Sequence, residues 1–169
     1  MTTCQPSANS LIRAHVGGTG WDFPAAHTGL HSGVFEPLHG HTYQVTLTVY
    51  GKLDQAGMVA DFAVLKHHLR AVIAPLKRRT LIAASAPGVT IEDTGRGQLQ
   101  VRGGDACFTL PRSWLALLPI AATTTEALAT YLAGQLGCRT IALCPAIVRL
   151  ELALAESPEC SATAEMVLR

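Results

Sequence analysis

Two histidines one residue apart, His39 and His41, begin a stretch that predicts a β-strand, and this combination limits the possible folds most. Residues 42–50 are mainly β-branched, aromatic or aliphatic, as strands usually are. Side chains alternate between the two faces of a strand, so both imidazoles should point to the same face and can bind one cation together. A third imidazole is available upstream at His27.

Three neutral imidazoles would leave one position of a tetrahedral zinc ion open, as in catalytic rather than structural zinc sites. On this interpretation His27, His39 and His41 bind Zn²⁺. The alternative is that His39 and His41 are ordinary histidines at a strand edge, because an isolated His-x-His pair is a weak signal. The residues alone leave both interpretations open.

Composition predicts one globular domain, residues 1–169, with a substantial core. Hydrophobic residues make up 49% of the 169 residues and charged residues 15%. The formal net charge of +1 provides no basic field for nucleic acid and no polybasic patch for a membrane surface. Low charge combined with high apolar content predicts a homo-oligomer in which sister subunits cover apolar surface.

The five cysteines are scattered and form no Cys-x-x-Cys pair, which favours free thiols in a reducing compartment. Residues 1–10 are polar and lack the apolar segment of a secretion signal. No apolar run reaches the length of a membrane span. We therefore expect a cytoplasmic protein that does not contact the membrane.

The order of strand and helix patterns predicts an α+β domain with an antiparallel sheet and both helices on one face. Asp61 is a predicted N-cap, and apolar residues at helical spacing predict a helix over 62–76. Thr123 and Glu126 fit a capping box that opens a second helix, which should end at Gly137. Residues 57–61 should close the first hairpin. Strands are predicted over 11–16, 21–27, 41–50, 147–154 and 160–168.

Residues 84–119 differ in pattern from the rest of the chain and predict an inserted β meander. Three short strand-like pieces occupy residues 89–91, 99–101 and 107–110. Glycine-rich turns separate them, as in consecutive hairpins.

Several motifs resemble the 6-pyruvoyltetrahydropterin synthase and 6-carboxytetrahydropterin synthase family. They occur in the family's order and cover about residues 20–160: Ala25-Ala26-His27, Leu38-His39-Gly40-His41-Thr42-Tyr43, Gly57-Met58-Val59-Ala60-Asp61-Phe62, Leu65-Lys66, Thr124-Thr125-Glu126 and Glu156-Ser157-Pro158. The resemblance implies a T-fold, with a four-stranded antiparallel sheet and two helices, whose subunits assemble into a trimer or a hexamer. The insertion over residues 84–119 has no counterpart in the short members of the family.

The same resemblance implies a ligand set and a substrate pocket. It implies Zn²⁺ on the three histidines, Glu156 as the anchor of the pterin ring, and Thr124 and Thr125 in the lining of the pocket. A carboxylate can accept two hydrogen bonds from a 2-amino-pyrimidinone edge, which fixes the orientation of the ring. The alternative for Glu156 is a surface carboxylate at a strand end, and capping alone explains Glu126.

Two positions depart from the family pattern. The family's catalytic cysteine, about four residues before His39, is Phe35 here. Glu36 lies beside it, similar to a branch of the family in which a glutamate replaces the cysteine and the cleaved pterin retains a hydroxymethyl group. The family's Leu-Asp-His after the first helix is replaced by Leu76-Lys77-Arg78. Arginine is too basic to accept a proton, so Arg78 is predicted to bind an anionic group such as a triphosphate.

These features favour a zinc-dependent lyase that acts on the side chain of a dihydropterin, either 7,8-dihydroneopterin or its triphosphate, in pterin or folate-like cofactor biosynthesis. Glu36 is then the general base. The alternative is a catalytically degenerate T-fold protein that binds a pterin or a purine without turnover, which the loss of the Asp-His pair favours. In that case Glu36 is a solvated loop residue.

Overall fold

The computed structural model describes residues 11–31 and 34–168, and its main sheet is built around one long strand, β5. A short 3-10 turn at Arg112–Trp114 precedes β10. The other elements, in chain order, are β1 (Ile12–Val16), β2 (Asp22–His27), β3 (Leu30–His31), β4 (Val34–Phe35), β5 (His39–Gly51), α1 (Phe62–Ile73), β6 (Thr80–Ala83), β7 (Val89–Gly95), β8 (Gln98–Gly103), β9 (Ala106–Pro111), β10 (Leu115–Leu118), α2 (Thr125–Leu143), β11 (Ile147–Ala155) and β12 (Ser161–Val167).

The predicted four-stranded antiparallel sheet is confirmed, with its first strand interrupted. Strands β1 and β2 lie end to end along one side of β5, where β1 pairs with residues 47–51 and β2 with residues 39–44. Strand β11 pairs with the other side of β5, and β12 pairs with β11. All of these pairings are antiparallel, so β1 with β2 acts as one strand of a T-fold sheet.

Both helices cover the same face of this sheet, as predicted. Alternate side chains of β5 from Tyr43 to Val49 are at most 1% exposed, and they join one core cluster with buried residues of α1, α2 and β11. The intervening side chains of β5 are half-buried or exposed. This alternation is the period-two pattern of a strand with one buried face.

The predicted cap of α1 is confirmed, since the Asp61 carboxylate accepts from the Ala63 N–H at 2.7 Å. Helix α1 ends at Ile73, earlier than predicted. Ala74 keeps helical backbone angles and donates to the carbonyl of Arg70 at 2.9 Å, but Pro75 has no N–H with which to continue the helical hydrogen bonds. Among the described residues, neither helix is long and apolar enough to cross a membrane.

The predicted bounds of α2 are wrong at both ends. Thr124, not Thr123, caps the helix, because the Thr123 hydroxyl donates to the backbone carbonyl of Thr28 instead. The helix continues past Gly137 to Leu143. Gly137 is needed for a close approach rather than for a helix end, because a β-carbon there would overlap the sulfur atom of Met166 on β12.

Two strands of the main sheet were not predicted, namely β6 and β10. They extend the sheet beyond β2 in parallel, with Ala26 in register with Thr80 and β10 in register with all of β6. Every residue of β6 is buried, so its pattern shows no alternation. Strand β10 lies within the predicted insertion at 84–119, yet it belongs to the main sheet. Residues 57–61 contain no strand, so the prediction that they close a hairpin is wrong.

The predicted meander is confirmed as a separate three-stranded antiparallel sheet formed by β7, β8 and β9. A second, small hydrophobic cluster joins the meander to the main sheet. Its buried members are Leu99 and Val101 on β8, Ile82 on β6 and Leu115 on β10. Phe35 and Phe108 pack against this cluster. The meander therefore contacts the segment that immediately precedes β5.

Candidate active site

The register between β2 and β5 brings the three predicted metal ligands together. His27 lies directly opposite His39 in the antiparallel pair, and His41 lies opposite Ala25. His39 and His41 are two residues apart on β5 and therefore share a face. One ring nitrogen from each of the three imidazoles lies within 4.8 Å of the other two. The predicted cluster is thus present.

Hydrogen bonds indicate which nitrogen of two of these rings carries the proton. Nδ1 of His39 lies 2.8 Å from the backbone oxygen of Pro37, which can only accept, so Nδ1 donates. Nδ1 of His27 lies 3.3 Å from Oγ1 of Thr123. Thr123 donates its own proton to the carbonyl of Thr28 at 3.0 Å, so it accepts from His27. In both rings Nε2 therefore keeps a lone pair for a ligand.

The Nε2 atom of His27 is buried and has no hydrogen-bond partner among the described residues. An unpartnered polar atom in a buried site is unfavourable unless a ligand satisfies it. Burial, and then the nearby His39 and His41, lower the pKa of His27, which favours the neutral ring that binds metals. The donor set therefore fits a metal ion that prefers imidazole, such as zinc.

The three histidines line a cleft of about 490 Å³, a volume suited to a small-molecule ligand. Four further predicted site residues line the same cleft and come from different parts of the fold. Glu36 precedes β5, Thr124 and Thr125 lie at the start of α2, and Glu156 follows β11. Seven predicted site residues are thus brought together by the fold, although they are spread from position 27 to position 156.

Glu156 is held by a hydrogen bond from the neighbouring helix. Oγ1 of Thr125 donates to Oε2 of Glu156 at 2.5 Å, and Thr125 is itself buried. No other hydrogen bond to this carboxylate occurs among the described residues, so Oε1 remains available to a ligand in the cleft. Thr124 has a structural role as well, since its hydroxyl accepts from the Ala127 N–H at 3.3 Å and caps α2.

The backbone of Glu36 is fixed on both sides. Its N–H donates to the carbonyl of Gly29 at 2.9 Å, and its carbonyl accepts from the Thr28 hydroxyl at 2.7 Å. The carbonyl of Thr28 accepts from Thr123, which also contacts His27. Thr28 and Thr123 therefore connect the Glu36 segment to the first of the candidate metal ligands.

Arg78 is not brought into this cleft. It lines a second cavity of about 480 Å³ together with Arg79 and Trp114, and His41 lines both cavities. The φ angle of Arg78 is 59°, which is uncommon for a residue other than glycine, and its N–H donates to the carbonyl of Pro24 at 2.6 Å. No side-chain ion pair of Arg78 occurs among the described residues.

Sequence reasoning missed several residues of the cleft. Thr123 was predicted only as a helix cap, although the adjacent Thr124 can fill that role and does so in the structure. Cys160 and Glu159 also line the cleft, and both are exposed. Both lie in the turn that follows Glu156, where the Glu156 N–H donates to the carbonyl of Cys160 at 3.1 Å.

Comparisons with known proteins point to one family. A family model described as 6-pyruvoyl tetrahydropterin synthase matches residues 20–166. A Methanocaldococcus jannaschii protein with the provisional name 6-carboxy-5,6,7,8-tetrahydropterin synthase is 28% identical over 123 residues, which are 71% of this chain and 74% of the relative.

Solved structures show the same fold. The 6-pyruvoyl tetrahydropterin synthase of Plasmodium vivax has a TM-score of 0.88 at 24% identity, covering 94% of this chain and 99% of the other. The corresponding Plasmodium falciparum structure has a TM-score of 0.86 at 25% identity, with the same coverage. Two further P. vivax structures, 23% identical, are catalytic residue mutants in which a glutamate is replaced by alanine or by cysteine.

Proposed function

This chain belongs to the 6-pyruvoyl tetrahydropterin synthase family, and we propose that it is a zinc-dependent lyase acting on the side chain of a dihydropterin, 7,8-dihydroneopterin or its triphosphate. One observation carries the proposal. Three imidazoles, with ligand nitrogens within 4.8 Å of one another, share one cleft with the carboxylates of Glu36 and Glu156. A metal site beside two carboxylates suits proton transfer on a bound small molecule better than it suits a structural role.

In this proposal His27, His39 and His41 hold the zinc ion. The unpartnered Nε2 of His27 and the Nδ1–H donation by His39 and His27 support the assignment, because both rings keep a lone pair for the metal. Zinc bound there supplies Lewis-acid polarisation of a hydroxyl or carbonyl oxygen on the substrate side chain.

Glu36 is the general base of the proposed reaction. Apart from the histidines, the other titratable groups of the cleft are less suited to act as a base. Glu156 accepts a hydrogen bond from Thr125, and the remaining groups are exposed, namely Glu126, Glu159 and Cys160. Glu36 is half-buried, and its backbone is fixed, as an efficient proton acceptor requires. In the P. vivax enzyme a glutamate is the catalytic residue that the described variants replace, which supports a carboxylate in this role.

Glu156 anchors the pterin ring in this proposal, and Thr125 orients its carboxylate. A carboxylate that is held by one donor keeps an oxygen for the N–H groups of a 2-amino-pyrimidinone edge. Thr124 lines the pocket beside it. Arg78 binds the anionic tail of the substrate from the second cavity, which meets the cleft at His41.

We further propose a closed homo-oligomer, a trimer or a hexamer, located in the cytoplasm. Within the described residues β12 pairs only with β11, so its other edge offers unpaired backbone groups. Val167 at the end of this edge strand is 68% exposed, and Trp114 near the second cavity is 60% exposed. Sedimentation at micromolar concentration should show no monomer, and a monomer would contradict the proposed assembly.

The alternative function is a degenerate T-fold protein that binds a pterin or a purine without turnover. The position of Arg78 favours this alternative. Lys77 and Arg78 occupy the positions of the family's Asp-His pair, and neither of them lines the cleft. A binder of this kind would retain a tight dissociation constant for the pterin while leaving it chemically unchanged.

Incubation of the zinc-loaded protein with 7,8-dihydroneopterin triphosphate, and separately with 7,8-dihydroneopterin, decides between the two functions. Mass spectrometry should reveal a pterin with a shortened or dehydrated side chain. Glu36→Gln, which keeps the size of the side chain, serves as the matched control and should form little product. Bound and unchanged pterin with the parent protein would favour the degenerate binder instead.

A further inference from the structure

The inserted meander packs directly on the residue before Glu36. The ring of Phe35 lies over Gly103 of β8, where a β-carbon would stand 2.6 Å from Cζ of Phe35. The same ring makes an edge contact with Phe108 of β9, with centroids 6.1 Å apart and an interplanar angle of 60°. Phe35 thus packs against two strands of the meander, β8 and β9.

The other side of Phe35 faces the polar network that supports the cleft. Phe35, Thr28 and Thr123 line one small cavity with an accessible volume of about 10 Å³, together with nearby apolar residues. A cavity of this size holds at most about one water molecule. The half-buried ring therefore contacts the meander and lines a small cavity with the two threonines that support Glu36 and His27.

Consecutive residues of extended chain point in opposite directions. Phe35 ends β4 with its ring in the meander, so the side chain of the next residue is directed away from the meander, and Glu36 lines the cleft. The loop around Glu36 contains little regular structure, because the strands β3 and β4 are only two residues long each. Local pairing alone gives such a loop little rigidity.

We propose that the meander is a positioning device for Glu36, and that Phe35, held in the slot formed by Gly103 and Phe108, is the positioning residue. Phe35 packs against the meander, and the neighbouring carboxylate of Glu36 lines the cleft. The proposal rests on the proposed function of Glu36 as the general base.

Gly103→Ala tests the slot without altering the cleft. Gly103 lies on β8 outside the cleft, and its φ angle is not in the left-handed region, so alanine is permitted by the backbone. The added methyl group must displace Phe35. We expect kcat to fall about tenfold or more, while KM and zinc content stay within about twofold, because misplacement of a catalytic group by about 1 Å can cost up to a hundredfold in rate.

A second substitution should rescue the first. Phe35→Leu in the Gly103→Ala background removes the ring atoms that the new methyl group would meet, so kcat should return to within about threefold of the Phe35→Leu single variant. Gly17→Ala is a matched control: its β-carbon would lie 2.5 Å from Oγ1 of Thr46, nearly as close as the nearest contact at Gly103, which is to Cε2 of Phe35, and it lies away from the meander. It should lower thermal stability yet keep kcat.

Hydrogen exchange supplies a readout that does not depend on turnover. The Glu36 N–H donates to the carbonyl of Gly29 at 2.9 Å, so this amide should exchange slowly in the parent. Its exchange should become faster in Gly103→Ala and stay slow in Gly17→Ala. Parent-like exchange in Gly103→Ala, a kcat loss that Phe35→Leu does not relieve, or an equal loss in Gly17→Ala would each overturn the positioning role.

The failure of the two proposals can be told apart. If Glu36→Gln turns over as fast as the parent, the proposed base is wrong, and the exchange rates still decide whether the meander holds this segment. If Glu36→Gln is inactive while Gly103→Ala has parent kcat and parent exchange, only the positioning role is wrong.

Discussion

The Nδ1 atom of His27 lies 3.3 Å from the hydroxyl oxygen of Thr123, although the two residues are 96 positions apart in the sequence. Thr123 donates to the carbonyl of Thr28, so its oxygen accepts the imidazole proton. One hydroxyl group thereby fixes the tautomer of a candidate metal ligand and ties the start of α2 to the end of β2. A role of this kind is common for the residues that orient metal-binding histidines.

Thr123→Val should therefore weaken zinc binding by about tenfold to a hundredfold, since it removes the acceptor while nearly keeping the volume of the side chain. Thr123→Ser keeps the hydroxyl and should bind zinc almost as the parent does. Competition with a chromogenic chelator measures both affinities.

Two histidine variants are the reference points for the zinc affinity of the Thr123 variants. His39→Ala removes a ligand and should leave the protein without stoichiometric zinc in elemental analysis, whereas His15→Ala, an exposed histidine on β1, should retain it. Full zinc content in His39→Ala, or unchanged affinity in Thr123→Val, would contradict the assigned ligand set or its support.

The histidine cluster could be predicted because its geometry follows from local periodicity. His39 and His41 share a face in any strand, whatever surrounds it. The strand over 41–50, the cap at Asp61 and the three pieces of the meander depend on similarly local patterns, and the structure confirms them.

The parts that could not be predicted depend on long-range pairing. Strand β6 is a four-residue run that is stable only between β2 and β10, and no local pattern distinguishes it from the end of a helix. The local sequence predicts Thr123 as a helix cap, but its hydroxyl donates instead to the carbonyl of Thr28, which is 95 residues earlier in the chain. The position of Arg78 outside the cleft likewise depends on how the turn after α1 packs against Pro24.

Glu36→Gln should lower kcat by about a hundredfold or more while zinc content and pterin affinity stay near those of the parent, because the amide cannot accept a proton. Stopped assays with product detection by mass spectrometry measure the loss. Cys160→Ser is the matched control, since Cys160 is the cysteine that lines the cleft among the described residues, and it should keep turnover. The opposite outcome, a slow Cys160→Ser and a fast Glu36→Gln, would move the chemistry to the thiol.

Glu156→Gln should raise the dissociation constant for a dihydropterin by about tenfold to a hundredfold, because a hydrogen bond to a charged group contributes about 1.5–3 kcal/mol. Thr125→Val removes the donor that orients this carboxylate and should have a smaller effect of the same sign. Thr130→Val is the control, because its hydroxyl donates to a backbone carbonyl on the exposed side of α2. Fluorescence titration with inactive Glu36→Gln as the host avoids turnover, and unchanged binding in Glu156→Gln would remove Glu156 from the pterin site.

His68 gives the fold a dependence on pH that is separate from the cleft. It is 8% exposed on α1, and both ring nitrogens lack partners among the described residues. Burial, and then the neighbouring His67 and Arg139, lower its pKa below the ordinary value of 6.5. The unfolded chain therefore takes up a proton that the folded protein resists, so stability is lost as the pH falls from 6.5 through the lowered pKa.

His68→Leu should remove this loss, because leucine is apolar and does not titrate. Thermal denaturation at about pH 7.5 and about pH 5.5 should show a smaller fall in Tm for His68→Leu than for the parent. The variant should also be at least as stable at the higher pH, since two unpartnered buried atoms are gone. His67→Ala, at an exposed neighbouring position, should keep most of the fall. An equal fall in His68→Leu and the parent would place the titrating group elsewhere in the protein.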